Sequence, residues 1–348
     1  MVTGGYGDFN HPAALVVLAC GLDHLLGDPR WCPHPVQVMG WFIQRLRALA
    51  EAWAADVPWK LRLSGVVLCG LLVLGSAGAG WLVERWATRA PGVLSAAILV
   101  LALASALAGG SLERAVKEVL RALPDLDEAR RRLAWIVGRE VEGLPREEIL
   151  RAAAETTAEN AVDGLFAPLF WILVGAALPL LTGNRSGPLA AGPLALVWGF
   201  KASSTLDSMV GYRRGRLRWL GTAGARLDDG LTWIPARLVA LTLPLVGSKP
   251  QAFWSAFQLA LREGKADPSP NAGISQAAYA EAVGVRLGGW NRYAEGWKQK
   301  PLLGANQPAV EVEAVERMLK LTLRLELLWL GVFLAVLAVA QGLGRFRS

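Results

Sequence analysis

Three carboxylates recur at intervals of four residues in one stretch of the chain, at Glu155, Glu159 and Asp163. On an α-helix, residues four apart lie one above another, so these side chains would share one stripe. Like charges so placed repel each other, and the stripe runs into an apolar segment where an unpaired carboxylate is costly. A magnesium ion carrying nucleotide phosphates would offset them, because Mg²⁺ takes one or two carboxylates plus phosphate oxygens. The alternative is a solvated first turn with ordinary capping.

A second polar block follows another apolar run and combines cations with one carboxylate. Lys201 can offer a point charge to a phosphate, and Arg213 or Arg214 a bidentate fork. Asp207 can serve as a metal ligand or as a general base. The block is therefore typical of a site that handles anions, although Arg214 and Arg216 are equally well explained as positive anchors at a membrane surface.

Two adjacent acids, Asp228 and Asp229, precede an apolar segment that Arg237 interrupts. Adjacent residues point to different faces of a helix, so one acid would bind metal while the other caps the following helix or pairs with Arg237. A purely structural role for both acids is the alternative. Because an arginine fork binds phosphate in a bidentate manner, a ligand phosphate is the other expected partner of Arg237.

Two further polar stretches lie nearer the carboxyl terminus. Ser269-Pro270-Asn271 is a turn by composition, and Asn291 follows a pair of glycines. Loops of this kind hold ligands through backbone and amide groups, but a helix-capping turn explains the first stretch as well. The three histidines and three cysteines lack the spacing of metal ligands, so they indicate no zinc site.

The elements that must position these residues are membrane helices. The 348-residue chain is 53% hydrophobic with a mean hydropathy of +0.34, which lies above the usual soluble range. A spanning helix needs about 20 apolar residues. The sequence therefore predicts an all-α polytopic membrane protein, a single integral membrane domain with about five or six membrane segments plus amphipathic and cytoplasmic helices. The predicted segments are 13–26, 63–82, 91–112, 164–183, 188–200 and 327–343.

The distribution of charge predicts the orientation in the membrane. The long polar stretches are rich in Lys and Arg, whereas the joints at 84–89 and 184–186 are short and lightly charged, which places the long stretches in the cytoplasm. A full crossing at 231–246 would put the next polar stretch on the wrong side, so a re-entrant element is expected there. The net charge of +7 is modest and no basic stripe with interleaved aromatics occurs, so the expected partner is the lipid bilayer and not nucleic acid.

Several of these blocks, in this order along the chain, resemble the adenosylcobinamide-phosphate synthase family of cobalamin biosynthesis. The similarity runs from near Asp23 to near Asn306. The matching stretches are Leu26-Gly-Asp28-Pro29 with Pro33-His34-Pro35-Val36, Trp135 to Arg139, Glu155 to Trp171, Thr205 to Tyr212, Ala225 to Asp229 with Ile234 to Leu238, Ser269-Pro270-Asn271, and Gly284 to Tyr293. One such stretch would be a weak signal, but this many in order is specific.

The resemblance implies a ligase that uses ATP and Mg²⁺ to join a propionate carboxylate of adenosylcobyric acid, a corrinoid, to the amine of (R)-1-aminopropan-2-yl phosphate, an aminopropanol phosphate. It implies a multi-pass protein of the inner cell membrane with its active site facing the cytoplasm, associated with other membrane enzymes of late cobalamin assembly. The residue types in these blocks fit such a reaction, because Arg and Lys, together with a metal ion held by carboxylates, can neutralise a transferring phosphoryl group. No Gly-x-x-x-x-Gly-Lys-Ser/Thr loop occurs, so the nucleotide site is expected to be of another type.

The candidate site residues come from these patterns and from the resemblance together. The expected catalytic residues are Glu155, Glu159, Asp163 and Asp207. The expected substrate-binding or phosphate-binding residues are Arg139, Asn160, Lys201, Ser208, Tyr212, Arg213, Arg226, Arg237, Ser269, Asn271 and Asn291. The expected magnesium ligands are Glu159, Asp163, Asp228 and Asp229.

Two other classes of membrane protein fit the sequence less well. A CDP-alcohol phosphotransferase also keeps acids in membrane helices, but its Asp-Gly-x-x-Ala-Arg start is not matched, because Ala236-Arg237 comes too late after Asp229-Gly230. A transporter with intramembrane carboxylates would explain the acidic stripe, but not several long polar stretches that each hold a polar block.

Overall fold

Long apolar runs of the sequence form long helices in the computed structural model, which describes residues 12–27, 34–87, 89–182, 192–248, 250–293 and 296–345. Within these residues, the helices long and apolar enough to cross a membrane are Pro58–Ala87, Arg146–Leu178, Thr222–Val246 and Val312–Ala340. A further candidate is a pair of helices, Gly92–Ala104 and Gly109–Ala122, bent by 45° at a short break. The predicted all-α polytopic membrane fold is confirmed.

The elements are numbered in chain order. The helices are α1 (Pro12–Leu26), α2 (Pro35–Ala54), α3 (Pro58–Ala87), α4 (Gly92–Ala104), α5 (Gly109–Ala122), α6 (Leu126–Leu133), α7 (Arg146–Asn160), α8 (Ala167–Thr182), α9 (Pro193–Val210), α10 (Leu217–Leu220), α11 (Thr222–Val246), α12 (Phe253–Gly264), α13 (Ala272–Val283) and α14 (Val312–Arg345). A π-helix, Ala161–Phe166, joins α7 to α8, and a short 3₁₀ turn, Pro250–Ala252, precedes α12. The strands are β1 (Leu287–Tyr293) and β2 (Gly296–Leu303).

The chain divides into two compact units. Unit 1 comprises residues 1–108, 168–231 and 330–348, and unit 2 comprises residues 109–167 and 232–329. In unit 1, α3 packs against α9, and α2 and α10 join them around a core that includes Ile43, Leu72 and Leu206. A side chain at Gly65 would clash with the carbonyl of Leu220, so glycine permits the close approach of α3 and α10.

In unit 2, the amphipathic helices α5 and α6 pack on α7, and α7 contacts both α13 and the hairpin of β1 and β2. The antiparallel pair α12 and α13 is joined by the Asp267 to Asn271 turn. A side chain at Gly273 would clash with the carbonyl of Gly264, so the two helix ends meet at a pair of glycines. The buried Tyr279 hydroxyl shares a hydrogen bond with Thr322 Oγ1 at 2.7 Å. These contacts fix the turn and the hairpin beside α7.

Four details differ from the segments expected from sequence. The run at 91–112 is not one straight helix, because it breaks between Ala104 and Gly109. The expected re-entrant element at 231–246 is part of one continuous helix of 25 residues, which tolerates Pro235 and Pro244 in its interior. The last predicted span begins earlier, because α14 also includes the amphipathic stretch from Val312. The stretch from Leu287 to Leu303 forms a β-hairpin that no sequence pattern indicated.

Some predicted features lie outside the described residues. These are Asp28, Pro29 and Pro33 of the first matching block, and residues 183 and 188–191 of two predicted membrane segments. The remainder of the 188–200 segment belongs to α9, which is not among the candidate spans.

Candidate functional site

A carboxylate held by two arginines forms the most buried charged cluster described in unit 2. Glu155 on α7 accepts hydrogen bonds from Arg139 through Oε2 and from Arg151 through Oε1, the latter at 2.8 Å. The side chains of Glu155, Arg139 and Arg151 are only 2%, 9% and 11% exposed. Arg151 also pairs with Glu148 one turn earlier on α7. The acid at the head of the predicted stripe is thus neutralised by protein side chains.

The hairpin completes this cluster from the other side. Gly288 donates its backbone N–H to Glu155 Oε1 at 2.8 Å and accepts from Arg151 at 2.7 Å. Asn291 Oδ1 accepts from Arg139 at 2.6 Å and from Arg151 at 2.9 Å. Gly288 has φ +84° beside a bulge in β1, and a side chain there would clash with the carbonyl of Pro301. Glycine is therefore required at the point where the strand meets Glu155.

The second acid of the stripe, Glu159, lies in a separate polar group of unit 2. Glu159 Oε2 accepts a hydrogen bond from Gln276 of α13 at 3.0 Å. Lys300 of β2 lies 3.5 Å from Asp267. Burial by itself lowers the pKa of Lys300, but the charges of Glu159 and Asp267, the largest of several favourable neighbours, raise it above its ordinary value. A lysine of the chain thus lies near enough to Glu159 to offset part of its charge.

The third acid, Asp163, lies in the π-helix and is half-buried. Single π turns inside α-helices are frequent at functional sites. Asn160, just before it, donates to Thr156 Oγ1 at 2.8 Å, and Thr156 donates to the carbonyl of Ile136 at 2.7 Å. Asn160 is thereby held on the same side of α7 as Thr156.

The Ser269-Pro270-Asn271 turn caps α13 and also contacts Arg237. Ser269 Oγ accepts from the backbone N–H of Ala272 at 3.1 Å, so the capping interpretation of this turn holds for Ser269. Arg237 donates to Asn271 Oδ1 at 3.2 Å and to the carbonyl of Trp233 at 3.0 Å, and its guanidinium stacks 4.0 Å from the Trp233 ring centroid. Among the residues that the structure describes in unit 2, the partners of Arg237 include no carboxylate.

Unit 1 holds the other acidic group. Asp228 lies close enough to Asp207, Asp229 and Lys201 to interact with each electrostatically, and Asp229 interacts with Arg213. Asp228 Oδ1 is buried and has no hydrogen-bond partner among the described residues. A buried acceptor without a donor is costly, and a cation or a ligand proton would remove that cost. This orphaned oxygen lies in a group of acids with a lysine, so it is a candidate point for a ligand in unit 1.

The other predicted residues of unit 1 surround this group less tightly. Ser208 donates back to the carbonyl of Ser204 at 2.9 Å, a bond within α9. Tyr212 is exposed and is covered by Arg214, whose guanidinium lies 4.9 Å from the ring centroid. Arg226 is exposed on α11. A side chain at Gly211 would clash with Asp207 Oδ1, so the end of α9 leaves the Asp207 carboxylate room that only glycine provides.

Of the predicted magnesium ligands, Asp228 and Asp229 fit the ion better than Glu159 does. No group of three or more His, Cys, Asp or Glu side chains that could hold a metal occurs in the described part of the chain. Mg²⁺ needs only one or two carboxylates when phosphate oxygens and water complete its six positions. The orphaned oxygen of Asp228, with Asp229 beside it, fits this requirement in unit 1. In unit 2, Glu159 already has Gln276 and Lys300 near it, so it fits less well.

Arg151, Gln276 and Lys300 belong to these clusters but were not among the predicted site residues. Arg151 could have been predicted from the sequence, because it lies four residues before Glu155 on a helix, and opposite charges at that spacing attract each other. Gln276 and Lys300 meet Glu159 from other elements, more than a hundred residues along the chain, and no local pattern indicates that contact.

Residues 16–322 match the family model described as CobD/Cbib protein. That range covers most of the chain. The chain belongs to this family. The family resemblance inferred from the sequence blocks is therefore confirmed.

Similar proteins of known family agree with this assignment. The chain is 40% identical over 298 residues to "Cobalamin biosynthesis protein CobD" of Synechocystis sp., covering 84% of this chain and 83% of the relative. It is 38% identical over 335 residues to the CobD protein of Pelobacter propionicus, covering 94% and 96%. It is 36% identical over 321 residues to "Cobalamin biosynthesis protein CbiB" of Salmonella arizonae, covering 91% and 95%. No solved structure matches the chain.

Proposed function

We propose that this chain is an adenosylcobinamide-phosphate synthase, an ATP-dependent ligase of cobalamin biosynthesis. The names of its relatives support the pathway. The observation that carries the reaction is the buried oxygen of Asp228, which has no hydrogen-bond partner in the part of the chain that the structure describes and lies near Asp207 and Lys201. Acids grouped with a lysine are what a site needs to handle a nucleotide phosphate with its metal ion.

The proposed reaction has two steps. A propionate oxygen of the corrinoid attacks the γ-phosphorus of ATP, the bond from phosphorus to the bridging oxygen breaks, and ADP leaves. The amine of aminopropanol phosphate then attacks the acyl phosphate carbon, its proton passes to a base, and inorganic phosphate leaves as the amide forms. Asp207 is the candidate base, because it lies beside the group that would hold the phosphates.

The chain's own residues supply binding and neutralisation in this scheme. Mg²⁺, held by Asp228 and Asp229 with phosphate oxygens, would neutralise charge on the transferring phosphoryl. Lys201 offers a point charge to the same phosphates, and Arg213 a fork. In unit 2, Arg237 has no carboxylate among its partners and offers its guanidinium to a phosphate of a substrate.

We also propose that the protein lies in the inner cell membrane with these polar groups on the cytoplasmic side. The excess of Lys and Arg in the long polar stretches supports this orientation. The reaction supports it too, because ATP and both other substrates would then be available on one side. An association with other membrane enzymes of late cobalamin assembly follows as a further expectation.

Synthesis by the purified protein is the test. The full-length chain, reconstituted in lipid nanodiscs, is incubated with adenosylcobyric acid, aminopropanol phosphate, ATP and Mg²⁺, and the amide product and ADP are measured by mass spectrometry. We expect one ADP for each amide and no product without ATP or without Mg²⁺. Amide formation without nucleotide, or ATP hydrolysis that leaves the corrinoid unchanged, would show that the proposed reaction is wrong.

A further inference from the structure

An apolar groove of about 590 Å³ runs between α2 and α3 in unit 1, and none of the acids described above lines it. α2 contributes Val38, Phe42 and Leu46 to its walls, and α3 contributes Leu71 and residues up to two turns later. No charged side chain is among the described residues that line it. The volume is within the range of pockets that take a ligand, and the lining suits a hydrocarbon chain.

The groove is open on the α3 side because the residues there are small. A Cβ added at Gly75 would meet nothing within 4 Å, so the space above this residue is empty of protein. Ser76 and Ala79 lie beside Gly75 and also line the groove. A larger side chain at position 75 would therefore fill the groove without a clash at its Cβ.

The groove continues along both helices toward the turn at 55–57 that joins them. On α3, residues spaced three or four apart share one face, at positions 75, 71, 67, 64 and 60. On α2, the corresponding face includes positions 38, 42, 46, 49 and 53. Val67 and Leu49, between the groove and the turn, are exposed apolar side chains. A largely apolar seam thus leads from the groove to Lys60 and Trp53.

Lys60 lies between two tryptophans at the end of this seam. Its Nζ is 5.4 Å from the ring centroid of Trp53 and 5.9 Å from that of Trp59. Both rings are more than half exposed, and tryptophan favours the headgroup level of a bilayer. Lys60 also comes just before the predicted membrane segment 63–82. Its ammonium is therefore expected at the level of lipid headgroups.

The charges around the turn leave Lys60 available to an anion. The acids of this stretch are already paired, Asp56 with Arg216 at 2.7 Å and Glu51 with Arg47 at 2.7 Å. Among the described residues, Lys60 has contacts with the two rings but no ion pair with a carboxylate. An anionic headgroup would therefore meet a cation that the protein does not neutralise.

The length of the seam matches one leaflet of a bilayer. A rise of about 1.5 Å per residue places Lys60 and Gly75 about 22 Å apart along α3. Half of a bilayer, with its headgroups, is about 20 to 22 Å thick. A phospholipid with its phosphate at Lys60 would thus extend an acyl chain into the groove as far as Gly75.

We infer that this seam holds one anionic phospholipid, with its phosphate at Lys60 between Trp53 and Trp59 and one acyl chain in the groove beside Gly75. A lipid bound there would link α2, which is not among the candidate spans, to α3, which is. The inference does not depend on the reaction proposed above.

Native mass spectrometry of the full-length chain in detergent tests this site with two probes, phosphatidylglycerol and phosphatidylcholine with the same acyl chains. The first phosphatidylglycerol should bind about fivefold more tightly than the first phosphatidylcholine, because one lysine near an anionic headgroup contributes about 1 kcal/mol. Lys60→Gln should remove this preference and leave phosphatidylcholine binding unchanged. Gly75→Leu should weaken the binding of both lipids, because the new side chain occupies the place of the acyl chain.

Two variants of α3 serve as matched controls. Arg62→Gln removes a cation at the same end of the helix, but Arg62 stacks 4.4 Å from the ring centroid of Trp219 on another face. Gly70→Leu adds the same side chain as Gly75→Leu at a glycine that also has open space but does not line the groove. Both controls should bind the two lipids as the wild type does.

The outcomes separate a specific site from general attraction to lipid. Equal affinity of the wild type for the two lipids would overturn the inference. Equal losses of phosphatidylglycerol binding in Lys60→Gln and Arg62→Gln would also overturn it, because they would show that a basic surface attracts anionic lipid without a site. If Gly75→Leu abolished a dimer of the chain and left lipid binding unchanged, the groove would belong to a second copy and the inference would be wrong.

Discussion

Glu155 in unit 2 and Asp228 in unit 1 are two carboxylates with opposite surroundings. In unit 2, Glu155 has two arginines and a backbone N–H around it, so each of its oxygens is occupied. In unit 1, Asp228 lies beside two other acids and one lysine, and one of its oxygens has no donor among the residues that the structure describes. A saturated carboxylate holds protein segments in place, whereas an unsaturated one in a group of like charges is free to bind a ligand. Both acids came from similar sequence signals, and only their partners distinguish them.

The largest expected loss of folding stability follows from replacing Glu155. The variant Glu155→Gln leaves Arg139 buried without its described counter-charge and leaves Arg151 with Glu148 alone, which costs about 3 to 5 kcal/mol. Unfolding in detergent, followed by tryptophan fluorescence, should show this loss. Glu148→Gln is the matched control, because Glu148 pairs with the same Arg151 but is 38% exposed, and it should cost less than about 1 kcal/mol. Equal stability losses in the two variants would contradict the distinction.

The opposite pattern is expected for Asp228. The variant Asp228→Asn removes one of several like charges, so the unfolding midpoint should stay the same or rise. Its rate of amide formation should fall by about a hundredfold or more, because a metal ligand contributes several kcal/mol to catalysis. Asp56→Asn in the same unit, an exposed partner of Arg216, should change neither quantity. Normal turnover at limiting Mg²⁺ in a destabilised Asp228→Asn protein would assign this acid a structural role.

A substitution at Gly288 tests how much the contact between the hairpin and Glu155 contributes to stability. Gly288→Ala should destabilise the protein by about 2 kcal/mol or more, because alanine is strained at φ +84° and its Cβ would clash with the Pro301 carbonyl. Gly143→Ala shares a positive φ of +73° but has open space around the added carbon, so it should lose only about 1 kcal/mol. If the two variants lose equally, the contact of the hairpin with Glu155 contributes little.

The fold was largely predictable because membrane helices are encoded locally. Uninterrupted apolar runs such as the one in α3 need no distant partner to be recognised as helices. The hairpin could not be foreseen, because its strands contain Gly288 and Gly289 at positive φ and show no regular alternation of apolar residues. The break after Ala104 was hidden as well, since the run continues to be apolar across it.

The candidate site was predictable only as separate blocks. Arg139, Glu155 and Asn291 were named from three different stretches, and the structure joins them by hydrogen bonds. Their roles stay predictions. The sequence does not show which acid is neutralised by a basic side chain and which is not. Arg139 and Lys300 meet their acidic partners only through tertiary contacts. The spacing of four residues shows that charges share a face, but not what lies opposite them.

A smaller effect on activity is expected from replacing Arg237. Its guanidinium has some protein partners, unlike the orphaned oxygen of Asp228, but it is not fully occupied, unlike the carboxylate of Glu155. Its guanidinium stacks on Trp233 and bonds Asn271, yet it has donors left for a ligand. Arg237→Lys should raise the KM for ATP or aminopropanol phosphate by about tenfold with little change in unfolding midpoint, because lysine cannot copy a bidentate fork. Arg262→Lys is the control. Unchanged KM values in a destabilised Arg237→Lys protein would reject the ligand role.

The smallest effect concerns Lys300, which offsets acids in unit 2 as Arg139 and Arg151 do, but from a less buried position. Its folded-state pKa is raised by Glu159 and Asp267 against the effect of burial, so its charge stabilises the folded state fully below its ordinary pKa of about 10.5. That stabilisation is lost only as the pH rises through the higher folded-state value. The loss of stability in Lys300→Met relative to wild type should therefore be constant between pH 6 and pH 9, about 1 kcal/mol. Unfolding curves at three pH values in that window test this. A loss that shrinks between pH 7 and pH 9 would mean that Lys300 releases its proton there, and that its acids do not hold it charged.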